Sequence, residues 1–105
     1  MEKTVSTKED VKIDAIQLKK AALVFRAINH KLRQQIMKFI SQQGKITVTQ
    51  IYVKLRLEQS VASQHLAILR KAGFVTTERD GKFIYYSVNQ PRINEVHKVA
   101  VELLK

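Results

Sequence analysis

Short polar side chains recur at helical spacing between Leu57 and Val75. Read at 3.6 residues per turn, one face of this stretch carries Ser60, Ser63, Gln64, Ala67 and Lys71. The other face is apolar and carries Ala62, Leu66 and Leu69, with Val61, Ile68 and Ala72 at its margins. Serine and glutamine can hydrogen-bond to base edges or phosphates without blocking close approach. These residues indicate a helix that reads nucleic acid, although a surface helix with a weakly polar face fits them equally well.

The charge balance favours nucleic acid. The 105 residues include 19 Lys and Arg but only 9 Asp and Glu, which gives a formal net charge of +10 and a pI near 10.1. From Ala15 through Leu57 the chain has nine Lys or Arg and no Asp or Glu. A surface that only maintained solubility would mix both signs, so the imbalance indicates a polyanionic partner. The chain has no cysteine, which excludes disulfides, thiolate metal sites and thiol redox switches within it.

Length and hydropathy predict one folded domain with a short tail. A hydrophobic content of 45% is enough for a small core. Residues 1–12 alternate charges with Thr, Ser and Val, so we expect a flexible N-terminal arm followed by one domain at 13–105. No apolar run approaches membrane-spanning length and the N-terminus is polar, so we expect a cytoplasmic protein without a membrane partner.

The first half of the chain predicts two long helices. From about Asp14 to Ile28 the pattern is apolar nearly all the way round. Such a helix must bury one face in its own core and the other against a partner subunit. A break and N-cap at Asn29 or His30 begins the second helix, which ends at Gly44.

A shorter helix leads into the polar-faced one. Residues 45–48 are short and extended, and Thr49 is predicted to cap a third, two-turn helix. Only residues 56–58 then separate it from the next helix. Two short helices joined by about three residues, the second with a polar outer face, indicate a helix-turn-helix.

A β-hairpin is predicted after the polar-faced helix. Two runs of β-forming residues, 74–79 and 82–88, flank Asp80-Gly81, which is a signal for a two-residue type I′ turn. Arg79 and Lys82 lie on either side of the tip. They belong either to a solvated hairpin end or, beside a DNA-reading helix, to a wing that reaches the DNA backbone or minor groove.

A last helix begins with Pro91 at its first position and carries an apolar stripe of period three to four. This stripe lies at the end of the chain, where it can meet the first helix of a second copy. The predicted dimer interface consists of Leu23, Val24, Val96, Val99 and Leu103.

This order of elements resembles the winged helix-turn-helix repressors of the ArsR/SmtB family. The likeness lies in residues 27–37 (with Arg33 at the family's usual arginine), 59–66, 69–75 and 79–86, and covers about residues 15 to 104. It implies a mainly α fold, with about five helices and a two-stranded wing, in which 13–105 is a DNA-binding and dimerisation domain. The DNA contacts predicted on this basis are Gln59, Ser60, Ser63, Gln64, His65, Lys71, Arg79 and Lys82.

Two departures from the family bear on function. Arg56 stands where the helix-turn-helix usually has Gly, so a left-handed backbone there would be mildly strained. The family's metal-binding members place Cys-x-Cys at positions that align with Thr47 and Thr49. At the positions of a second family metal site this chain has Gln90, Arg92 and Leu103. These side chains predict that no metal and no cofactor is bound.

The three histidines do not change that expectation. His30 is interpreted as a helix-start residue and His97 as a partly exposed residue beside the dimer stripe. His65 lies at the edge of the DNA-reading helix, where it either packs or contacts a phosphate. Ser60 and Ser63 lack a carboxylate-supported His at a recognisable spacing, and no Gly-rich phosphate loop is present, so the chain is not expected to be an enzyme.

Together these features predict a dimeric, sequence-specific transcriptional repressor that binds an inverted repeat in double-stranded DNA and does not depend on soft metals. Whether an effector ligand also binds is left open. Two alternatives remain: a winged-helix module whose polar-faced helix binds protein, and a nonspecific architectural DNA-binding protein. Strong salt dependence would favour DNA binding over the first, and dependence on duplex sequence would exclude the second.

Overall fold

The structure, a computed structural model, describes residues 11–105, in which five helices surround a small three-stranded sheet. The elements are α1 (Ala15–Ile28), α2 (Lys31–Gln43), β1 (Ile46–Thr47), α3 (Val48–Lys54), α4 (Gln59–Lys71), β2 (Val75–Asp80), β3 (Phe83–Val88) and α5 (Gln90–Leu103). This is a winged helix-turn-helix, so the predicted fold class is confirmed. The predicted arm at 1–12 falls, up to residue 10, outside the described residues.

The first two helices begin and end close to where the sequence placed them. Asp14 caps α1, because its carboxylate accepts hydrogen bonds from the backbone N–H groups of the second and third helical residues, both at 3.1 Å. His30 is the N-cap of α2, and its Nδ1 accepts a hydrogen bond from the Arg33 N–H at 3.4 Å. Gly44 ends α2 with a φ of 86°, a conformation that glycine adopts without steric cost.

The predicted cap of α3 was wrong by two residues. Thr47, and not Thr49, is the N-cap: its hydroxyl accepts from the Gln50 N–H at 3.3 Å. In turn, the Thr47 N–H donates to Gln50 Oε1 at 2.9 Å, which completes a capping box. Threonine occurs at both positions, and only Thr47 has a glutamine three residues later that can reciprocate.

The hairpin turn was also misplaced by one residue. Asp80 pairs with Phe83, so the two loop residues are Gly81 and Lys82 and not Asp80-Gly81. Gly81 has a φ of 64°, whereas Lys82 is not in the left-handed region. Glycine at the first loop position alone is the pattern of a type II′ turn, not type I′.

Asn89 begins α5 and shifts Pro91 one position into the helix. The Asn89 side chain accepts from the Arg92 N–H at 3.3 Å, so Gln90 is the first helical residue and Pro91 the second. Proline is tolerated there as well, because the N–H groups of the first turn have no partner within the helix.

The sheet has the strand order β1-β3-β2, with antiparallel pairing throughout. Sequence reasoning treated residues 45–48 only as an extended segment. In the structure Ile46 pairs with Tyr86 and Thr47 with Tyr85, so the hairpin is attached at its base to the segment that leads into α3. Among residues 11–105, no helix is long and apolar enough to span a bilayer.

One apolar core lies beneath α4. Ala62, Leu66 and Leu69 are each fully buried, which confirms the predicted inner face of this helix. Ile68, predicted at the margin, is 40% exposed. The buried residues that pack together are Ala27, Ile36, Met37, Ile40, Ile46, Ile51, Leu66, Leu69, Phe74, Val75 and Val96. Because α1, α2, α3, β2 and α5 all contribute, the core fixes which face of α4 points outward.

Candidate nucleic-acid interface

A tight turn joins α3 to α4. Arg56 has a φ of 57°, the left-handed value that sequence reasoning considered for this position. Its N–H donates to the Val53 carbonyl at 3.3 Å, and the Leu57 N–H donates to the Tyr52 carbonyl at 2.9 Å. A non-glycine residue in this conformation costs about 1–2 kcal/mol. The helix-turn-helix geometry is therefore retained despite the strain of an arginine.

The outer face of α4 is open. The side chains that sequence analysis placed there, Ser60, Ser63, Gln64, Ala67 and Lys71, are all exposed, as is Gln59 at the start of the helix. At 1.5 Å per residue they extend over roughly 17 Å of one helix face. Such a face is narrow, polar and free of bulky groups, so it can approach another surface closely.

His65 does not lie on that open face. The imidazole is half-buried, and its Nδ1 accepts a hydrogen bond from Arg33 Nε at 3.2 Å. The His30 ring lies 4.9 Å away, centroid to centroid. Burial of the ring, and then the positive charge that His30 and Arg33 place beside it, lower the pKa of His65 below its ordinary value of 6.5. Sequence analysis left two roles open for His65, packing or a phosphate contact. In the structure the side chain packs against Arg33 and His30.

Arg79 and Lys82 are both exposed at the tip of the hairpin. Arg79 Nε donates to the Gly81 carbonyl at 3.1 Å, which holds the guanidinium over the turn. Lys82 Nζ lies 5.5 Å from the centroid of the Phe83 ring. The tip therefore presents two cations, one of them oriented by the turn itself.

Comparison with known proteins identifies the family. Residues 30–77 match the model of "Bacterial regulatory protein, arsR family". The chain is 34% identical over 84 residues to the HTH-type transcriptional regulator MJ1325 of Methanocaldococcus jannaschii. The aligned residues cover 80% of this chain and 94% of that protein. The chain belongs to the arsR family of bacterial regulatory proteins.

A second relative and two solved structures are also similar to this chain. The transcriptional repressor PagR of Bacillus anthracis is 33% identical over 90 residues, covering 86% of this chain and 90% of PagR. The PagR crystal structure superposes with a TM-score of 0.63 over 88% of this chain and all of that chain. An ArsR-like regulator from Rhodococcus sp. RHA1 has a TM-score of 0.72 over 85% of this chain and 83% of that one, but at 18% identity it shows the fold alone. The predictions of a DNA-binding transcriptional regulator and of a protein that is not an enzyme are confirmed by this family membership.

Arg92 of α5 and Asn89, the N-cap of that helix, hold the end of α4, a role that sequence reasoning did not assign to them. Arg92 Nε donates to the Ala72 carbonyl at 3.1 Å, and Asn89 Nδ2 donates to the Gly73 carbonyl at 2.9 Å. Arg92 Nη1 also pairs with Glu95 at 2.9 Å. A cation at the C-terminal carbonyls of a helix is stabilising. No local pattern predicts these contacts, because they join residues 16 and 20 positions apart.

The apolar surface that would form a dimer interface lies on α1 and α5. Leu23, Val99 and Leu103 are exposed, Val24 is half-buried, and Val96 is already buried in this chain's own core. A groove of about 330 Å³ lies between the two helices, with Val24, Phe25 and Val96 in its lining. The apolar residues of α1 are thus only partly covered within a single chain, as the all-round apolar pattern predicts.

The positions that bind metals in other ArsR-family members are occupied differently here. The Thr47 hydroxyl is engaged in the capping box of α3. The Arg92 guanidinium is held between Ala72 and Glu95. Within residues 11–105, no group of three or more His, Cys, Asp or Glu side chains is placed to hold a metal ion.

Proposed function

We propose that this protein is a dimeric transcriptional repressor that binds an inverted repeat in double-stranded DNA, with α4 in the major groove. The observation that carries the proposal is the exposed face of α4, which holds Ser60, Ser63 and Gln64 but no bulky or acidic side chain. DNA binding and dimerisation then belong to one domain at 13–105. Repression follows when a tightly bound dimer occludes a promoter.

Base reading rests on Gln64 and its neighbours. A glutamine amide can make a bidentate contact with N6 and N7 of adenine in the major groove. Ser60 lies one turn before Gln64 and Ser63 lies next to it, both exposed, and a serine hydroxyl can donate to or accept from either base of a pair. Gln59 and Lys71, at the two ends of α4, reach the flanking bases or phosphates.

Affinity rests on the phosphate contacts. The wing offers Arg79 and Lys82, and the first two helices and α3 lie in the stretch that has nine Lys or Arg and no acidic residue. Glu58, the N-cap of α4, makes no side-chain capping bond within the described part of the chain. The first N–H groups of α4 are consequently available to a phosphate, which helix N-termini bind well. These contacts carry no base information, but they make binding depend on salt.

The first prediction concerns the operator. Selection of bound duplexes from a random pool, near physiological salt, is expected to yield an inverted repeat with half-sites about 10 bp or a multiple of that apart. Gln64→Ala is expected to cost about 1–3 kcal/mol on the selected site and to relax preference at one position per half-site. Lys82→Ala is the matched control, because it should weaken all duplexes alike and lower the slope of affinity against salt.

The same experiment separates the alternatives. A pool that stays random after selection, with binding that still falls steeply with salt, would identify a nonspecific architectural protein. Binding too weak to select any duplex would favour the alternative in which the exposed face of α4 binds a protein partner. A direct repeat in place of an inverted one would contradict the two-fold dimer.

The second prediction is that release from DNA does not require soft metals or thiol oxidation. A threonine hydroxyl cannot compete as a thiolate does for zinc, cadmium or arsenite, and Arg92 is a permanent cation that repels a bound metal. Operator affinity should be unchanged by zinc, nickel, copper(I), arsenite or peroxide. A specific tenfold loss at stoichiometric metal, about 1.4 kcal/mol of coupling, would overturn this part of the proposal.

A further inference from the structure

One guanidinium joins the end of α1 to the middle of α4. Arg33, in the first turn of α2, donates from Nη1 to the Ala27 carbonyl at 2.9 Å and to the Arg26 carbonyl at 3.2 Å. From Nε it donates to His65 Nδ1 at 3.2 Å. The first two acceptors are the last turn of α1, and the third lies on α4, 32 residues further along the chain than Arg33.

The hydrogen bond to His65 specifies the protonation state of the imidazole. An arginine N–H can only donate, so Nδ1 of His65 must be the unprotonated nitrogen and the neutral ring carries its proton on Nε2. His30 has the same tautomer, because its Nδ1 accepts from the Arg33 N–H. Protonation of His65 on Nδ1 would remove the acceptor and put two cations 3.2 Å apart.

The two helices that Arg33 joins carry different parts of the proposed function. α1 presents Leu23 and Val24 to the proposed partner subunit, whereas α4 presents Ser63 and Gln64 to DNA. In a two-fold dimer, the distance and angle between the two copies of α4 depend on how each sits against its own α1. A contact that fixes this relation also determines whether both half-sites can be read at once.

We propose that His65 is a positioning residue: as a neutral acceptor for Arg33 it sets the orientation of α4 relative to α1, and operator binding weakens when it is protonated. The inference rests on the proposed function, because the orientation of α4 affects operator binding only if α4 binds DNA. Nδ1 of His65 faces Arg33 and is not available to DNA, so a phosphate contact of the kind considered from the sequence could be made only by Nε2–H.

The groups that face His65 make the sign of the pH dependence definite. From α2 they are the Arg33 guanidinium and the His30 ring, and from α1 the Arg26 and Ala27 carbonyls lie beyond Arg33. No carboxylate of the described residues acts on the pKa of His65, which is lowered from 6.5. The conformation that binds DNA has no proton on Nδ1 of His65, so its population falls as the pH falls through this pKa. A phosphate contact by His65 would do the opposite, because protonation would add a favourable charge.

The third prediction tests this with operator affinity at pH 7.5 and pH 5.5. Wild-type affinity is expected to fall between these values, by at most about tenfold for each copy of His65 and so by at most about a hundredfold for a dimer that needs both copies neutral. His65→Asn places an amide oxygen where Nδ1 was and cannot titrate, so it should bind within about threefold of wild type at pH 7.5 and show no such fall. His65→Ala and Arg33→Ala should each lose about tenfold at pH 7.5, equivalent to about 1.4 kcal/mol.

Two other histidine variants serve as controls. His30→Asn keeps an N-cap acceptor for α2 and removes the neighbouring imidazole, so the fall in affinity should persist. His97→Asn changes an exposed residue of α5 and should follow wild type at both pH values. Affinity that rises on acidification, or a His65→Ala variant that binds as well as wild type, would overturn the proposal.

An NMR measurement without DNA separates this proposal from the proposed function. The ¹⁵N shifts of His65 should report the Nε2-protonated tautomer at pH 7.5. His65→Ala should move the backbone amide signals of residues 23–28 in α1, and His65→Asn should leave them near their wild-type positions. If the wild-type protein selects no duplex but these shifts appear, the proposed function fails and the link stands. Unchanged α1 signals in His65→Ala, or the other tautomer, would refute the link.

Discussion

Leu66→Ala is expected to lower the free energy of unfolding by about 2–5 kcal/mol, the range for removing a fully buried leucine. Leu66 has 0% exposure and packs in the core beneath α4. Truncation removes apolar contacts and leaves a cavity that a helix held at both ends can fill only partly. Because the total free energy of unfolding of such a domain is roughly 5–15 kcal/mol, the loss should be visible as a large shift in the midpoint of urea denaturation.

The matched control for this fourth prediction lies two residues further on in the same helix. Ile68→Ala removes a similar apolar side chain, but one that is 40% exposed, so it should cost about 1 kcal/mol or less. Equal losses for the two variants would mean that α4 is rotated from the orientation described here. In that case the face assigned to DNA would also be wrong.

Leu103→Asp is expected to convert the proposed dimer into a monomer and to reduce operator affinity on the order of 100-fold or more, since each half-site would then be bound separately. Leu103 is 71% exposed and continues the stripe of Val96 and Val99 on α5. A carboxylate there would be desolvated in an apolar interface without a partner charge. In the single chain the substitution should change folding stability by less than about 0.5 kcal/mol.

Sedimentation at micromolar concentration provides the measurement for this fifth prediction, with twice the chain mass for wild type and the chain mass for the variant. Val53→Asp is the control, because Val53 is a 64% exposed apolar residue on α3, outside the α1–α5 surface. It carries the same change of charge and should remain dimeric. A wild-type protein that sediments as a monomer would remove the basis for the inverted repeat.

The sequence by itself determined the elements whose signals are local. The apolar face Ala62, Leu66 and Leu69 repeats with helical period, and that period orients α4 without knowledge of its neighbours. Gly44 ends the second helix, as predicted, because backbone with a positive φ is accessible to glycine. The resemblance in the helix-turn-helix and wing residues then gave the family, which the comparisons confirm.

Errors arose where two neighbouring residues could each satisfy the same local rule. Thr47 and Thr49 are both good caps, and the choice between them follows from the reach of Gln50. Asp80-Gly81 has the composition of a type I′ turn, but the pairing of β2 with β3 moves the loop to Gly81 and Lys82. That register is set by both strands together, so a signal within four residues cannot fix it.

Only the tertiary structure decided what holds α4 in place. The contacts of Arg33 with His65, Arg92 with Ala72 and Asn89 with Gly73 join residues 16 to 32 positions apart. No periodicity connects such residues, because their proximity results from packing several helices around one core. Sequence reasoning therefore left two roles open for His65, packing or a phosphate contact. Packing against α2 places its Nδ1 beside a guanidinium, and that contact makes it an acceptor inside the protein.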